Sequence, residues 1–136
     1  MVKPIMKDPI FLAQPSEKAT AEDMQTARDL IETLLAHRDE CVGMAANMIG
    51  VKKRIIAINH DGRYMILINP KIIRHSGSYE TEEGCLSLSG TRKTTRWSSI
   101  TVQYWDMDFK PMLKTFRDFS AQIIQHEIDH CDGVLI

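Results

Sequence analysis

The sequence lacks any long hydrophobic run and any large excess of charge of one sign. Nowhere do roughly eighteen apolar residues stand together, which argues against a membrane-spanning helix. The segment before Pro15 carries Lys3, Lys7 and Asp8 instead of the apolar stretch of a secretion signal. The formal net charge is -1, so no general attraction to nucleic acid or membrane surfaces is indicated. We therefore expect a cytoplasmic protein that binds neither.

Cysteine is scarce, with three residues, Cys41, Cys85 and Cys131, among 136. An odd number of cysteines without an export signal argues against a disulfide framework and favours metal binding or buried thiols. Hydrophobic residues make up 43% and charged residues 26%, which is typical of globular proteins. The length predicts a single domain that spans residues 1–136.

The hydrophobic pattern predicts one helix near each end of the chain. Thr20 is a good N-cap, and helical spacing follows it at Met24, Ala27, Leu30, Ile31, Leu34 and Leu35. A second helical pattern runs from about Asp118 to Cys131 and stops before Gly133. Prolines at positions 4, 9 and 15 predict an extended arm before the first helix.

Isoleucine-rich segments after the first helix predict a β-hairpin. Residues 54–59 and 64–69 flank Asp61-Gly62, a strong turn signal. Pro70 is predicted to end the second strand or to place it at an edge, because proline cannot donate to a strand ladder.

A second pair of strands is predicted closer to the C-terminal helix. Residues 99–106 alternate in polarity and can pair with residues 112–116, whereas residues 80–96 are predicted to be loop and turn. The order of elements predicts an α+β fold. In this fold a mostly antiparallel sheet packs around the C-terminal helix, accompanied by the N-terminal helix.

The strongest functional signal is the pentapeptide His126-Glu127-Ile128-Asp129-His130. Two histidines four residues apart share one face of a helix, so both imidazoles can bind the same ion. A divalent metal lowers the pKa of water towards neutrality, and Glu127 can move the proton. The alternative is a pair of surface histidines. Neighbouring isoleucines place the segment partly in a core, where unpaired histidines would be costly. We therefore predict a metal-dependent hydrolase.

A catalytic metal usually has a third protein ligand and one open position. Cys131 lies about 100° around the helix from His130, so we interpret it as a packed thiol. Spacing does not choose between Cys41 and Cys85, although Gly84 would let the backbone beside Cys85 approach a ligand. Asp129 is open to two interpretations, as the partner of a histidine ring nitrogen or as a solvated charge. The role of Gln125 is equally open.

Three segments together resemble the signature motifs of the peptide deformylase family. They are Cys41–Met48, Glu83-Gly84-Cys85-Leu86-Ser87 and Gln125–His130, in the family's order. The resemblance implies an enzyme that removes the formyl group from N-terminal formylmethionine. It also implies that Cys85 joins His126 and His130 as a metal ligand and that Glu127 is the general acid–base. The family typically uses Fe(II); the donor set also suits zinc, nickel or cobalt.

The sequence departs from the family pattern at Met48, where the first motif ends in glutamine. The family stabilises the formyl oxygen with this glutamine and with the backbone N–H after the cysteine, here Leu86. Methionine has no N–H to donate, and loss of one such donor lowers kcat by roughly 10²–10³-fold. Asn47 is not expected to replace it. We therefore expect deformylation with reduced efficiency.

The resemblance also implies substrate contacts from Val42, Gly43, Arg92, Phe119, Gln122 and Ile123. The family lines its methionine pocket with apolar side chains along the stripe that contains Gln122. A glutamine there makes the pocket less suited to a thioether unless the side chain turns aside. Arg92 has an alternative interpretation as one of several basic loop residues.

The implied partners are the formylated N-termini of peptides. Only six residues follow His130, whereas some bacterial deformylases continue into a segment that docks on the ribosome. We therefore do not expect tight ribosome binding by that route.

Two other functions remain open. One is a deformylase-like metal-binding protein that has left catalysis, and the other is a hydrolase of a different N-acylated substrate. A peptidase using the same helix would normally need a further histidine or glutamate after His130, and residues 131–136 contain neither.

Overall fold

One five-stranded antiparallel sheet forms the centre of the computed structural model, which describes residues 1–136. The α-helices are α1 (Pro9–Leu12), α2 (Met24–Ala36) and α3 (Asp118–Cys131). The strands are β1 (Gly43–Ala45), β2 (Ile55–His60), β3 (Arg63–Cys85), β4 (Leu88–Trp105) and β5 (Pro111–Arg117), and they pair in chain order. None of the helices is long and apolar enough to cross a membrane. The predicted α+β fold is confirmed.

The sheet lies between α2 and α3, and strand β2 is buried on both faces. Ile55 and Ala57 pack in a core that contains Leu30 of α2, whereas Ile56 and Ile58 pack in a core that contains Ile124 of α3. Successive strand residues point to opposite faces, so a strand covered on both sides needs apolar residues at every position. This explains why residues 55–58 show no polar alternation.

The predicted N-cap, Thr20, begins a 3₁₀ turn (Ala21–Asp23) that leads directly into α2 and has a capping box. The Thr20 hydroxyl accepts a hydrogen bond from Glu22 N (3.3 Å), and the Asp23 carboxylate accepts one from Thr20 N (2.8 Å). The predicted extended arm before it contains α1, a single turn that the sequence analysis missed. Asp8 caps this turn by accepting from Ile10 N (3.0 Å), and Pro9 occupies its first position.

The β2–β3 hairpin is confirmed, but Pro70 does not end the second strand. Asp61 and Gly62 form the turn with φ values of 51° and 91°. Strand β3 continues through Pro70 because its register against β4 shifts between Ile68 and Lys71. This bulge accommodates a residue that cannot donate to the ladder.

The prediction of a loop over residues 80–96 is wrong, because β3 and β4 form a long hairpin there. Glu82 pairs with Lys93 and Glu83 pairs with Arg92 across the two strands. The outer half of the hairpin is largely exposed, so it lacks the polar alternation that marks a half-buried strand. Cys85 ends β3 directly beside the turn, so its position follows from the pairing of β3 with β4.

Candidate metal centre

Cys85 and two histidines bring their donor atoms together between β3 and α3. Their ligand atoms all lie within 4.8 Å of one another, and the Nε2 atoms of His126 and His130 are 3.0 Å apart. Two imidazole nitrogens bound to one tetrahedral ion at about 2.0–2.1 Å would be roughly 3.3 Å apart. The group therefore fits a single transition-metal ion. Cys131 lies instead in the apolar core beneath α3, as a packed thiol.

The surroundings of the two imidazoles favour a positive charge between them. Burial opposes protonation of His126, but hydrogen bonds with Cys85 and Glu83 outweigh it and raise its pKa to about 10. Burial and the neighbouring His126 lower the pKa of His130 to about 3. His130 is fully buried, and its Nδ1 has no hydrogen-bond partner. The two rings compete for one proton at their facing Nε2 atoms, a place that a shared cation would fill.

Glu83 is the functional residue that the sequence analysis missed. Its Oε1 accepts a hydrogen bond from His126 Nδ1 (2.8 Å), which leaves His126 Nε2 to face the other ligands. Arg96 donates to both carboxylate oxygens of Glu83, through Nη2 (2.6 Å) and Nε (3.0 Å). The available signal was its position in the sequence, since Glu83 stands two residues before Cys85 in the same motif.

Asp129 binds Arg96 and not a histidine ring. Its Oδ2 accepts from Arg96 Nη1 (2.7 Å), so neither interpretation of this residue from the sequence describes it fully.

Burial opposes ionisation of Glu83, but hydrogen bonds from His126, Arg96 and Gln122 outweigh it and lower its pKa to about 2. Glu83 is therefore a carboxylate across the physiological pH range.

Glu127 lies buried beside the ligands with its Oε1 free of hydrogen bonds. Burial, partly offset by the positive charge of His126, raises its pKa to about 7. A carboxyl group with a pKa near neutrality can both accept and donate a proton. The absence of a side chain at Gly43 of β1 leaves room for Glu127. A Cβ at this position would lie 2.9 Å from Glu127 Oε2 and 2.6 Å from Ile123 Cγ2.

A cavity of about 700 Å³ opens beside Glu127. Its wall contains most of the residues that the sequence analysis assigned to catalysis or substrate: Val42, Gly43, Met48, Cys85, Leu86, Phe119, Gln122, Ile123, His126 and Glu127. Arg92 is not part of the wall; its guanidinium donates to Ser89 O (3.4 Å) on the hairpin. Cys41 also lines the cavity, and burial raises the pKa of its thiol to about 11.

The glutamines of α3 bind protein groups and do not extend into the cavity as free amides. Gln122 Nε2 donates to Glu83 Oε2 (2.9 Å), so its amide is turned aside from the cavity. Gln125 fastens α3 to β4, because it accepts from Trp97 N (2.8 Å) and donates to Trp97 O (2.7 Å). These contacts hold the face of α3 that carries the histidines.

Met48 is buried in the cavity wall and offers no N–H donor. Its sulfur instead accepts a contact from Ala45 N (3.5 Å). Asn47 does not compensate, since its side-chain amide donates to His130 O (2.9 Å) and lies in the interior. Neither side chain therefore presents a free N–H donor to the cavity.

Comparison with known proteins identifies many similar chains. Residues 2–136 match the family model described as polypeptide deformylase. The chain is 52% identical to a peptide deformylase of Clostridium beijerinckii over 136 residues, all of both chains. A peptide deformylase of Desulforudis audaxviator is 38% identical over 133 residues, 94% of this chain and 85% of the relative.

Solved structures show the same fold. A class I type b peptide deformylase from Acinetobacter baumannii with Met-Ala-Ser bound has a TM-score of 0.88 and 27% identity, covering 99% of this chain and 97% of that one. A peptide deformylase from Legionella pneumophila has a TM-score of 0.89 and 34% identity, covering 99% of this chain and 83% of that one.

Proposed function

This chain belongs to the peptide deformylase family of metal-dependent hydrolases, and we propose that Cys85, His126 and His130 hold its metal ion. The observation that carries the proposal is the approach of the two Nε2 atoms to 3.0 Å, with Cys85 alongside and the buried Glu127 next to them. We propose that residues 1–136 act as one catalytic domain and that the enzyme works in the cytoplasm, where polypeptides are made.

The metal that we propose is Fe(II), on the strength of the family resemblance. One thiolate and two imidazoles also suit zinc, nickel and cobalt, so the ligands alone do not select the ion. A divalent ion bound there supplies Lewis acidity and makes water a nucleophile at neutral pH.

Glu127 is proposed to move the proton in both halves of the hydrolysis. It accepts a proton from the water whose oxygen forms a bond to the formyl carbon. It then delivers that proton to the amine nitrogen as the carbon–nitrogen bond breaks, which releases formate and a free amino terminus. A pKa of about 7 supports both transfers, because neither protonation state is strongly disfavoured at neutral pH.

The formyl oxygen gains negative charge in this reaction and needs hydrogen-bond donors. We propose the backbone N–H of Leu86, which lines the cavity beside Cys85, as one donor. Met48 supplies none, so we propose slower turnover than a glutamine at this position would allow.

The proposed substrates are the formylated N-termini of new polypeptides. The tripeptide Met-Ala-Ser, bound in the Acinetobacter relative, supports a cavity that takes a peptide beginning with methionine. We assign the methionine side chain to the part of the wall formed by Val42, Gly43, Phe119, Gln122 and Ile123. We propose that Arg92 contacts only the part of the substrate peptide that extends beyond this wall.

Formate release from formyl-Met-Ala-Ser by anaerobically iron-loaded protein tests the proposal. We expect turnover by the wild type and loss of both metal and turnover in His126→Ala. His75→Ala changes an exposed histidine of β3 and should keep both. Bound metal without turnover would favour the retired metal-binding protein. Turnover of only another acylated peptide would favour a different N-acyl substrate.

A further inference from the structure

Gln122 stands one helical turn before His126 and is held at both ends of its amide. Its Nε2 donates to Glu83 Oε2 (2.9 Å), and its Oε1 accepts from the Tyr79 hydroxyl (3.4 Å). The side chain is half-buried at the wall of the cavity. A glutamine that served only to line the cavity would not need partners for both amide atoms.

The contact with Gln122 completes the hydrogen bonding of Glu83. Oε1 of Glu83 accepts from Arg96 Nη2 (2.6 Å) and His126 Nδ1 (2.8 Å), and Oε2 accepts from Gln122 Nε2 (2.9 Å). Arg96 Nε is shared between Oε1 (3.1 Å) and Oε2 (3.0 Å). A carboxylate offers about four acceptor sites, so each oxygen here is fully used. Glu83 is only 8% exposed, and water has little access to replace a lost donor.

The two donors on Oε2 fix the plane of the carboxylate. Without Gln122, the charged guanidinium of Arg96 would be the only side chain left on Oε2. The carboxylate would then be free to rotate towards Arg96 and away from the imidazole. Because the direction of Oε1 sets the orientation of the His126 ring, such a rotation would misdirect Nε2.

We propose that Gln122 is a positioning residue for His126, acting through Glu83. The inference rests on the proposed metal site, since it assumes that His126 Nε2 binds the ion. The same role explains how the cavity wall accommodates the polar residue Gln122. The amide is committed to Glu83 and Tyr79, so its methylene groups remain for contact with an unbranched substrate side chain.

Titration with Co(II) alone, in competition with a chelator, tests this role by affinity and by the visible absorption spectrum of the bound ion. Gln122→Met keeps the length of the side chain and removes both amide contacts. We expect about tenfold weaker Co(II) binding and an altered spectrum. Tenfold is the lower end of the loss seen when the hydrogen-bond partner of a metal-binding histidine is changed. Gln122→Glu keeps the size but places a carboxylate against Glu83, and should weaken binding further. Gln103→Met, at an exposed position of β4, is the matched control and should match the wild type.

Tyr79→Phe is a second variant that leaves Gln122 in place and removes only its distant anchor. We expect a smaller loss of Co(II) affinity in the same direction. Thermal unfolding of each variant shows whether a loss of Co(II) affinity follows from instability. In a variant that remains folded, a shifted absorption spectrum reports a change in the metal ligands themselves.

The results separate this inference from the proposed metal site. If the wild type binds Co(II) and Cys85→Ser removes the thiolate absorption, the metal site stands. Gln122→Met with the affinity and spectrum of Gln103→Met would then show that Gln122 only packs against its neighbours. If the wild type does not bind Co(II), or Cys85→Ser leaves the spectrum unchanged, the metal site is wrong and the role of Gln122 falls with it.

Discussion

The two faces of the sheet are covered by helices of very different character. Helix α2 contributes Ala27, Leu30 and Leu34 to an apolar core, and its buried polar residues, Asp29 and Thr33, bind the N-terminal arm. Helix α3 also contributes apolar residues, but it buries five polar ones: Ser120, Gln125, His126, Glu127 and His130. Burial of polar groups stabilises a fold only when they are well paired.

The difference suggests a division of work between the faces. The α2 face holds the sheet in shape through area removed from water. The α3 face buries a carboxyl group with an unpaired oxygen, which we attribute to the proposed role of Glu127 in proton transfer. Glu127 has an oxygen without a partner, which would be a defect on the α2 face. Changes on the two faces should therefore separate stability from activity.

The largest expected effect on activity comes from Glu127→Ala. Removal of a general acid–base typically lowers the rate by about 10²–10⁴-fold, and we expect kcat/KM for formyl-Met-Ala-Ser to fall in this range. Metal content should be retained, because Glu127 is not among the proposed ligands. The free energy of unfolding should stay equal or rise, since an unpaired buried carboxyl group is removed. A variant that keeps its activity would rule out the assigned role.

Leu30→Ala on α2 is expected to have the opposite effect, a loss of stability without a loss of activity. Leu30 is fully buried, so the truncation should lower the free energy of unfolding by about 2–5 kcal/mol. The kcat/KM of the folded fraction should remain within about twofold of the wild type, because Leu30 lies outside the cavity wall. Urea unfolding and initial-rate kinetics on the same sample measure both quantities. A large loss of activity at full folding would break the proposed division between the faces.

Acid should destabilise the α3 face through Glu83. The pKa of Glu83 is lowered from 4.5 to about 2 by folding, so the carboxylate stabilises the native state above pH 4.5. This contribution is lost as the pH falls from 4.5 towards 2.

Urea unfolding of chelator-treated wild type and Glu83→Gln across this range is the measurement. The stability difference between the two proteins should shrink as the pH falls. Glu82→Gln, at the exposed neighbouring position, should follow the wild type throughout. A difference that does not change with pH would contradict the assigned ionisation of Glu83.

The smallest expected effect is a gain of activity in Met48→Gln. The variant adds a side-chain N–H where the cavity wall has a thioether. Since an oxyanion donor contributes roughly 10²–10³-fold in kcat, and the wall is shaped around methionine, we expect an increase of about tenfold. Steady-state kinetics should show the gain in kcat rather than in KM. An unchanged or lower kcat in a folded variant would show that Met48 does not limit the rate.

Local patterns were sufficient to predict α2, α3, the first hairpin and the placing of His126 and His130 on one helix face. The capping box at Thr20 and the spacing of His126 and His130 are encoded within a few neighbouring residues. Cys85 could not be chosen over Cys41 by spacing, because its approach to α3 depends on the pairing of β3 with β4. Cys85 was assigned as a ligand through the resemblance of its surrounding motif, and not through its position.

Contacts between distant exposed strands were beyond prediction from local patterns. The outer β3–β4 hairpin places Glu82 opposite Lys93 and Glu83 opposite Arg92, and such polar pairs leave no hydrophobic period in the sequence. The role of Glu83 depends on the same pairing, since Arg96 reaches it from β4. Asp129 was a more obvious partner for a histidine by proximity in sequence, yet the long-range contact with Glu83 forms instead.

X-ray absorption of the anaerobically iron-loaded protein tests the central claim most directly. The proposed site predicts one sulfur and at least two imidazole nitrogens around the iron, with the sulfur absent in Cys85→Ser and present in Cys41→Ser. Sulfur that persists in Cys85→Ser, or iron surrounded only by oxygen and nitrogen in the wild type, would contradict a site formed by Cys85, His126 and His130.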